Sequence, residues 1–396
     1  MCIGSGEQTV SPNVFGTGYS GADAHPTSMR PSDVDTSQRP FVCIWEVTQA
    51  CALACEHCRA DAQPARHPDE LTTAEGKALL DDARAFGDGQ LVVLSGGDPL
   101  ARDDTVDLVE YGVENGLRMT MTPSGTESLT RERVADLADA GLRRMALSLD
   151  GASAATHDAF RGEAGSFDST VEAARAARDA GLPLQINTTV CAQTVGDLPA
   201  IRDLVADLGA VLWSVFFLVP VGRGRVLDPI DPERAEGVME WLVDVADDAP
   251  FGVKTTEAPH YRRVALQQKR AEGGTASPAR DGIGRRTGIT AGDGFAFVSH
   301  VGDVYPSGFL PESAGNVREE SLVDLYRDSA LFESLRDPDA LTGKCGACEF
   351  RNVCGGSRSR AYATAGDPLA SDPLCAYEPE GYDGPMPDQS PAEVEL

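Results

Sequence analysis

The sequence predicts an α/β fold: an open parallel barrel followed by a small cysteine-rich domain. Three observations carry this. Between Phe41 and Leu218, short β-type apolar runs alternate with amphipathic helical stretches through six strand–helix units. Units of that size imply parallel strands joined by right-handed crossovers, as in open or closed (β/α) barrels. The distinctive short motifs fall just after strands, at Cys51–Cys58, Ser95–Pro99 and Asp150–Gly151. That is the carboxyl-end position where barrel proteins place their chemistry.

Taken in order, residues 1–38 are rich in Gly, Ser, Thr, Pro and Asp and read as a disordered leader, in which Cys2 has no local partner. A barrel core over 39–250 begins with the strand Phe41–Val47 and the helix Thr73–Phe86, capped by Thr73. The strands Leu91–Leu94, Arg118–Thr122, Met145–Leu149, Leu184–Val190 and Val211–Leu218 follow. Helices over Asp103–Asn115, Thr130–Ala140, Phe167–Asp179 and Leu198–Leu208 separate them, and a further helical pattern surrounds Glu233–Asp247. Residues 251–294 read as an irregular linker or substrate-side loop. A second domain, 295–379, opens with a hairpin of Phe295–Ser299 and Val304–Pro306 about a Gly302-Asp303 turn and holds a helix over Leu322–Leu335. Residues 380–396 read as a disordered tail.

The 396-residue chain carries 62 acidic against 34 basic residues, a formal charge of -28. A nucleic-acid binder needs a basic face, so that class is excluded. So acidic a chain with few lysines points to a halophilic protein, because concentrated salt screens self-repulsion. No stretch approaches the length of a membrane span, and the N-terminus lacks a basic-then-apolar signal, so the expected location is cytoplasmic. Seven of the ten cysteines fall in two groups with metal-like spacing, a poor match to a secreted disulfide framework. Cys43 and Cys191 read as strand-core residues.

The first group is Cys51-x3-Cys55-x2-Cys58. Soft thiolates select iron–sulfur clusters, zinc or copper(I). Zinc wants four ligands, and His57, wedged between two cysteines, points poorly for a shared tetrahedron. A [4Fe–4S] cluster normally takes four thiolates; a local set of three leaves one iron open to a small molecule. The spacing favours the cluster over zinc.

These residues resemble the signature of radical S-adenosylmethionine (radical SAM) enzymes, with His57 where the family usually has an aromatic residue. Ser95-Gly96-Gly97-Asp98-Pro99 is similar to the family's Gly-Gly-Glu-Pro stretch, Asp98 replacing glutamate. Trp45-Glu46-Val47-Thr48 and Cys58-Arg59-Ala60 resemble the branch that matures haem and related tetrapyrroles. The resemblance spans about Pro40 to Tyr377. It implies a partial (β/α)6 TIM-like barrel and a SAM-binding [4Fe–4S] cluster on Cys51, Cys55 and Cys58. It further implies reductive cleavage of S-adenosylmethionine to a 5′-deoxyadenosyl radical that abstracts hydrogen from substrate, with an electron donor such as ferredoxin or flavodoxin.

Within that pocket, Gly96 and Gly97 suit a close backbone approach to the ligand or a tight turn. Asp98 would accept from the ligand amine or from nearby backbone. Ser148 and Asp150 are candidates for the ribose hydroxyls, or else a core serine and a turn aspartate. Asn187 needs a polar partner, for which the ligand is one candidate, and Val219 and Pro220 are placed to pack on the adenine. Cys345-x2-Cys348-x5-Cys354, followed by Cys375, completes a second thiolate set. Spacing leaves zinc and a cluster equally open. The region resembles the SPASM or shorter Twitch auxiliary-cluster domain, which implies one fully ligated auxiliary [4Fe–4S] cluster.

Phe216–Gly224, Ala258–Tyr261 and Ser299–Pro306 also resemble the haem-maturation branch. Arg223, His260, Tyr261 and Arg262 are candidates to meet a tetrapyrrole's carboxylates, arginine through its forked donors. Relatives that process tetrapyrroles often carry cysteine near Glu257 and Ser307, where this sequence has none. A peptide-modifying enzyme is therefore the competing reading, and a metal-stabilised scaffold or electron-transfer protein the non-enzymatic one.

Overall fold

A computed structural model describes residues 35–271, 273 and 289–392. Most of the expected leader, with Cys2, and the last four residues of the expected tail lie outside the described residues.

The chain runs β1 (Val42–Thr48), α1 (Thr73–Ala85), β2 (Leu91–Gly96), α2 (Thr105–Glu114), β3 (Arg118–Met121), α3 (Arg131–Asp139) and β4 (Arg144–Ser148). It continues with α4 (Ala154–Arg161), α5 (Ser166–Asp179), β5 (Leu184–Val190), α6 (Leu198–Asp207), β6 (Leu212–Phe217), α7 (Pro232–Asp248), β7 (Gly252–Thr256) and α8 (His260–Ala271). The C-terminal part holds β8 (Phe295–Val298), β9 (Asp303–Tyr305), β10 (Gly315–Asn316), α9 (Leu322–Asp328), α10 (Ala330–Arg336), α11 (Gly343–Ala347) and α12 (Arg358–Ala365).

All strands join one sheet in the order β10-β9-β8-β1-β2-β3-β4-β5-β6-β7. The strands from β8 through β1 to β7 pair in parallel, and among the described strands β8–β9 and β9–β10 are antiparallel. This is the partial barrel, with two additions. The segment expected to be an irregular linker carries β7, in register with β6 from Leu212↔Gly252 to Phe216↔Thr256, and then α8. The expected hairpin strand at Phe295 docks parallel to β1, Val42 against Phe295, so the segment expected to open a second domain lies on the barrel's own edge.

Helices pack outside the sheet. Trp45 on β1 is 2% exposed, and a Cβ on Gly76 of α1 would lie 2.4 Å from its ring. Leu80, Leu94, Leu108 and Val134 are fully buried in the same core. Each buried leucine contributes about 1.5–3 kcal/mol. The cap of α1 is Thr72 rather than Thr73, forming a capping box with Glu75. The helix expected over 322–335 is two, because the Ser329 side chain caps a new start by accepting from the Phe332 N–H. The tail has no regular element through Ala392, but it is tied down: the Ala392 N–H donates to the Ala363 carbonyl, and Arg225 donates to the Ala392 carbonyl. Cys43 and Cys191 are buried, and burial pushes the Cys43 thiol up to about 12. Among the described residues no helix is long and apolar enough to cross a membrane.

Candidate active site

The cysteine loop starts where β1 ends. The buried Glu70 carboxylate fixes the exit by accepting from Thr48 Oγ1 at 2.6 Å, the Gln49 N–H at 3.0 Å and Arg66 Nε at 2.6 Å. Cys51, Leu53, Cys55 and Ala62 form a small apolar cluster with Cys58 against it. Backbone amides aim at two of the sulfurs, Leu53 N–H at Cys51 Sγ (3.3 Å) and Ala62 N–H at Cys58 Sγ (3.4 Å). Burial pushes the Cys51 and Cys55 thiols up, with Arg161 opposing it at Cys55. Loading a metal there must displace protons.

The second motif is built against the same loop. Gly96 has φ +141°, and a Cβ on it would lie 2.3 Å from the Thr48 carbonyl oxygen; on Gly97 it would lie 2.3 Å from that of Ala50. The close approach that demands glycine is therefore by the cysteine loop's own backbone. Asp98 is 3% exposed. It accepts from Leu100 N–H (3.1 Å), Ser124 N–H (3.3 Å), Thr126 Oγ1 (3.0 Å) and Ser128 Oγ (3.0 Å). Of the two roles open to Asp98, the local one is what the geometry displays.

After β4, Asp150 is 2% exposed and accepts from the Thr189 N–H at 2.7 Å and from Arg161 at 3.3 Å. Burial pushes its pKa up, but His57, Arg161, His157 and the Thr189 N–H hold it below the ordinary carboxylate value. Burial also works against the Arg161 charge, yet Cys55, Asp150, Cys51 and Cys58 hold the guanidinium above its ordinary value. His57 stacks on Phe160 at 4.5 Å and 8° and lies 3.2 Å from Arg161. Burial takes its pKa down to about 4, Asp150 opposing, so the ring is neutral near pH 7. His57 therefore supplies the flat face of the aromatic residue it replaces. Phe160 and Arg161 both come from α4, which the sequence reading missed; a Ser153 cap and a left-handed Gly162 were its signals.

Ser148 and Asn187 pair across β4 and β5, and Asn187 Oδ1 accepts from Gln185 at 2.7 Å. Val219 is buried with Val221 and Ala363.

The four substrate candidates all meet groups of the protein itself. Arg223 donates to the carbonyls of Cys55 (2.9 Å) and Ala62 (3.0 Å) and to Asp61 (3.0 Å), bracing the cysteine loop. His260 is 1% exposed with Nε2 3.1 Å from Asp372, and Tyr261 packs in the core. Arg262 reaches the Val353 carbonyl beside the second cysteine group. Charge and motif position made them candidates; long-range partners, invisible in sequence, decide their orientation.

Glu257 and Ser307 meet directly, Ser307 Oγ donating to Glu257 at 3.1 Å. Ser357 and Ser359 donate to the same carboxylate, and Glu257 sits at φ +55°, strained for a side-chain-bearing residue. Another network missed in sequence ties Glu46 on β1 to Arg59 and His300, each at 2.7 Å.

In the second group, amides of Phe350, Gly356 and Asp372 aim at the sulfurs of Cys348, Cys354 and Cys345, each at 3.4 Å. Burial raises the Cys354 thiol, with Cys375 and Cys345 adding to it, and takes Cys375 up to about 11. Among the described residues, no three His, Cys, Asp or Glu gather closely enough to hold a single metal ion. Both sites thus pass the test of donor type: soft sulfurs, buried or half-buried, several met by backbone N–H groups of the kind that tune iron–sulfur clusters.

The Radical SAM superfamily profile matches residues 45–205. The chain is 42% identical over 341 residues to the AdoMet-dependent heme synthase of Methanosarcina barkeri, covering 86% of this chain and 97% of that one. It is 40% identical over 360 residues to the AdoMet-dependent heme synthase of Nitratidesulfovibrio vulgaris, covering 90% and 98%. In fold it is similar to Streptococcus suis SuiB bound to S-adenosylmethionine, with TM-score 0.66 and 18% identity over 86% of this chain and 78% of that one.

Proposed function

Because this chain belongs to the radical SAM superfamily, we propose that it is the enzyme of a tetrapyrrole-maturing step, removing side-chain carboxylate carbon from a porphyrin. What supports the substrate is the 42% identity with a heme synthase along 97% of that protein. The family uses a [4Fe–4S] cluster and S-adenosylmethionine. When bound, they supply a reductively generated carbon radical able to take hydrogen from an unactivated C–H bond.

The chain's own residues do the rest. Cys51, Cys55 and Cys58 would hold that cluster through three thiolates, so that S-adenosylmethionine could bind where no thiolate does. Arg223 and Arg161 stiffen the loop from two sides, and paired Asp150 keeps Arg161 in place. His57, neutral and stacked on Phe160, offers a flat wall without adding charge. Glu70 and Asp98 lock the turns on which these residues stand. Cys345, Cys348, Cys354 and Cys375 would hold an auxiliary cluster, and a small soluble electron donor completes the assembly. The acidic surface fits work in concentrated salt.

The test is anaerobic incubation of reconstituted protein with S-adenosylmethionine, a reductant and an iron porphyrin bearing propionate chains. Mass spectrometry should find porphyrin lighter by carbon dioxide and two hydrogens per chain processed, with 5′-deoxyadenosine formed. An unaltered porphyrin alongside turnover on a peptide would reject the substrate class.

A further inference from the structure

Among the described residues, the C-terminal cysteine site contains two buried cations that make no ion pair with a carboxylate. Arg358 is 3% exposed. Its Nη1 donates to the carbonyls of Pro368 and Ala370, both at 2.8 Å, and its Nε to that of Gly356 at 3.3 Å. Its remaining nitrogen, Nη2, lies 3.6 Å from Cys345 Sγ. Lys344 is 2% exposed, and its Nζ donates to the Cys375 carbonyl at 2.7 Å. The buried carboxylate of Asp372, close to Gly356, is engaged by Arg360 at 3.0 Å and lies 3.1 Å from His260. Arg263, also near these thiols, is neutralised by Glu236. The first cysteine loop is arranged differently, for there Arg161 is paired with Asp150 and Arg223 with Asp61.

An unpaired buried charge is costly, and buried charges are ordinarily paired or matched to a metal centre. Carbonyl oxygens orient the Arg358 guanidinium but do not neutralise it. What remains within reach is the thiolate set. Gly356 makes the approach possible: at φ +71°, a Cβ there would lie 2.6 Å from Arg358 Nη2 and 3.0 Å from Cys345 Sγ.

We propose that Arg358 and Lys344 are the counter-charges of the C-terminal cluster and hold its reduction potential up. The inference rests on the reading that Cys345, Cys348, Cys354 and Cys375 carry a [4Fe–4S] cluster. A tetrathiolate cluster is net negative, and one-electron reduction, with no proton taken up, makes it more so. Fixed cations at the sulfurs therefore favour the reduced form, the electron coming from an external donor. Arg358 and Lys344 act through the cluster's ligands and are positioning residues in this scheme.

The experiment is an EPR-monitored redox titration of the reconstituted full chain, native and as R358Q, R358K and K344Q, with iron and sulfide counted first. In R358Q and K344Q the potential of the C-terminal cluster should fall. The expected shift is at least about tenfold in the reduced-to-oxidised ratio at fixed potential, about 59 mV for one electron. The first cluster should not move, and R358K should stay near native because it keeps the charge. If R358Q fails to assemble the cluster, K344Q carries the test. Unchanged potentials in the variants that assemble it, or equal shifts in R358Q and R358K, overturn the proposal. Native protein with about four irons per chain instead of about eight overturns the cluster reading beneath it, and the iron count reveals that before any potential is measured.

Discussion

His157 is held neutral chiefly by burial, with a contact on each ring nitrogen. Its Nδ1 accepts from the Asp150 N–H at 3.2 Å, and its Nε2 lies 3.4 Å from the Ser166 hydroxyl. Burial lowers its pKa to about 4, with Asp150 opposing and Arg161 adding. Between that value and the ordinary 6.5, the unfolded chain binds the proton and the folded chain does not. Stability contributed by His157 is therefore complete above that window and lost as pH falls through it. Going from pH 7 to pH 5 should cost about 2 kcal/mol at this residue alone. Urea midpoints of native protein and H157Q at the two pH values would check it: the native midpoint should fall more steeply. The cysteines were legible because ligand spacing is local. The contacts of Arg223, His260 and Arg262 were not, because their partners lie far away in sequence, His260 for instance against Asp372.

At the scale of elements, α1 offers a test that separates packing from propensity. Alanine is a better helix former than glycine by about 1 kcal/mol, and Gly76 sits inside α1. Yet its Cβ would meet Trp45 Cη2 at 2.4 Å, below any contact distance. Overpacking of that kind costs about 1–3 kcal/mol, so G76A should lower the denaturation midpoint; a rise would mean Trp45 can swing away. The six strands from β1 to β6 were readable because each alternates with a long amphipathic helix. β7 was not, because Gly252-Val253-Lys254-Thr255-Thr256 has one buried apolar residue, Val253, and looks like loop. The hairpin at β8 was legible, but its parallel pairing with β1 was not, since no local pattern encodes which edge a strand joins.

Across the whole molecule, a formal charge of -28 is spread over a structure whose carboxylates outnumber their basic partners. At 0.1 M salt the screening length is about 10 Å, and at 1 M about 3 Å, so repulsion across the surface should fade with added salt. The melting temperature is expected to rise by several degrees between about 0.1 M and 2 M KCl; a flat response would remove salt adaptation from the account. In the proposed function, the barrel, the bracing of the cysteine loop and the neutral wall beside it would all serve an iron corner left without a thiolate. Its most direct test is 5′-deoxyadenosine release from S-adenosylmethionine under reducing, anaerobic conditions, compared between native protein and C55A. The account predicts release by the native protein and none above background from C55A, with the C-terminal site still holding about four irons. Equal release by both proteins would contradict it.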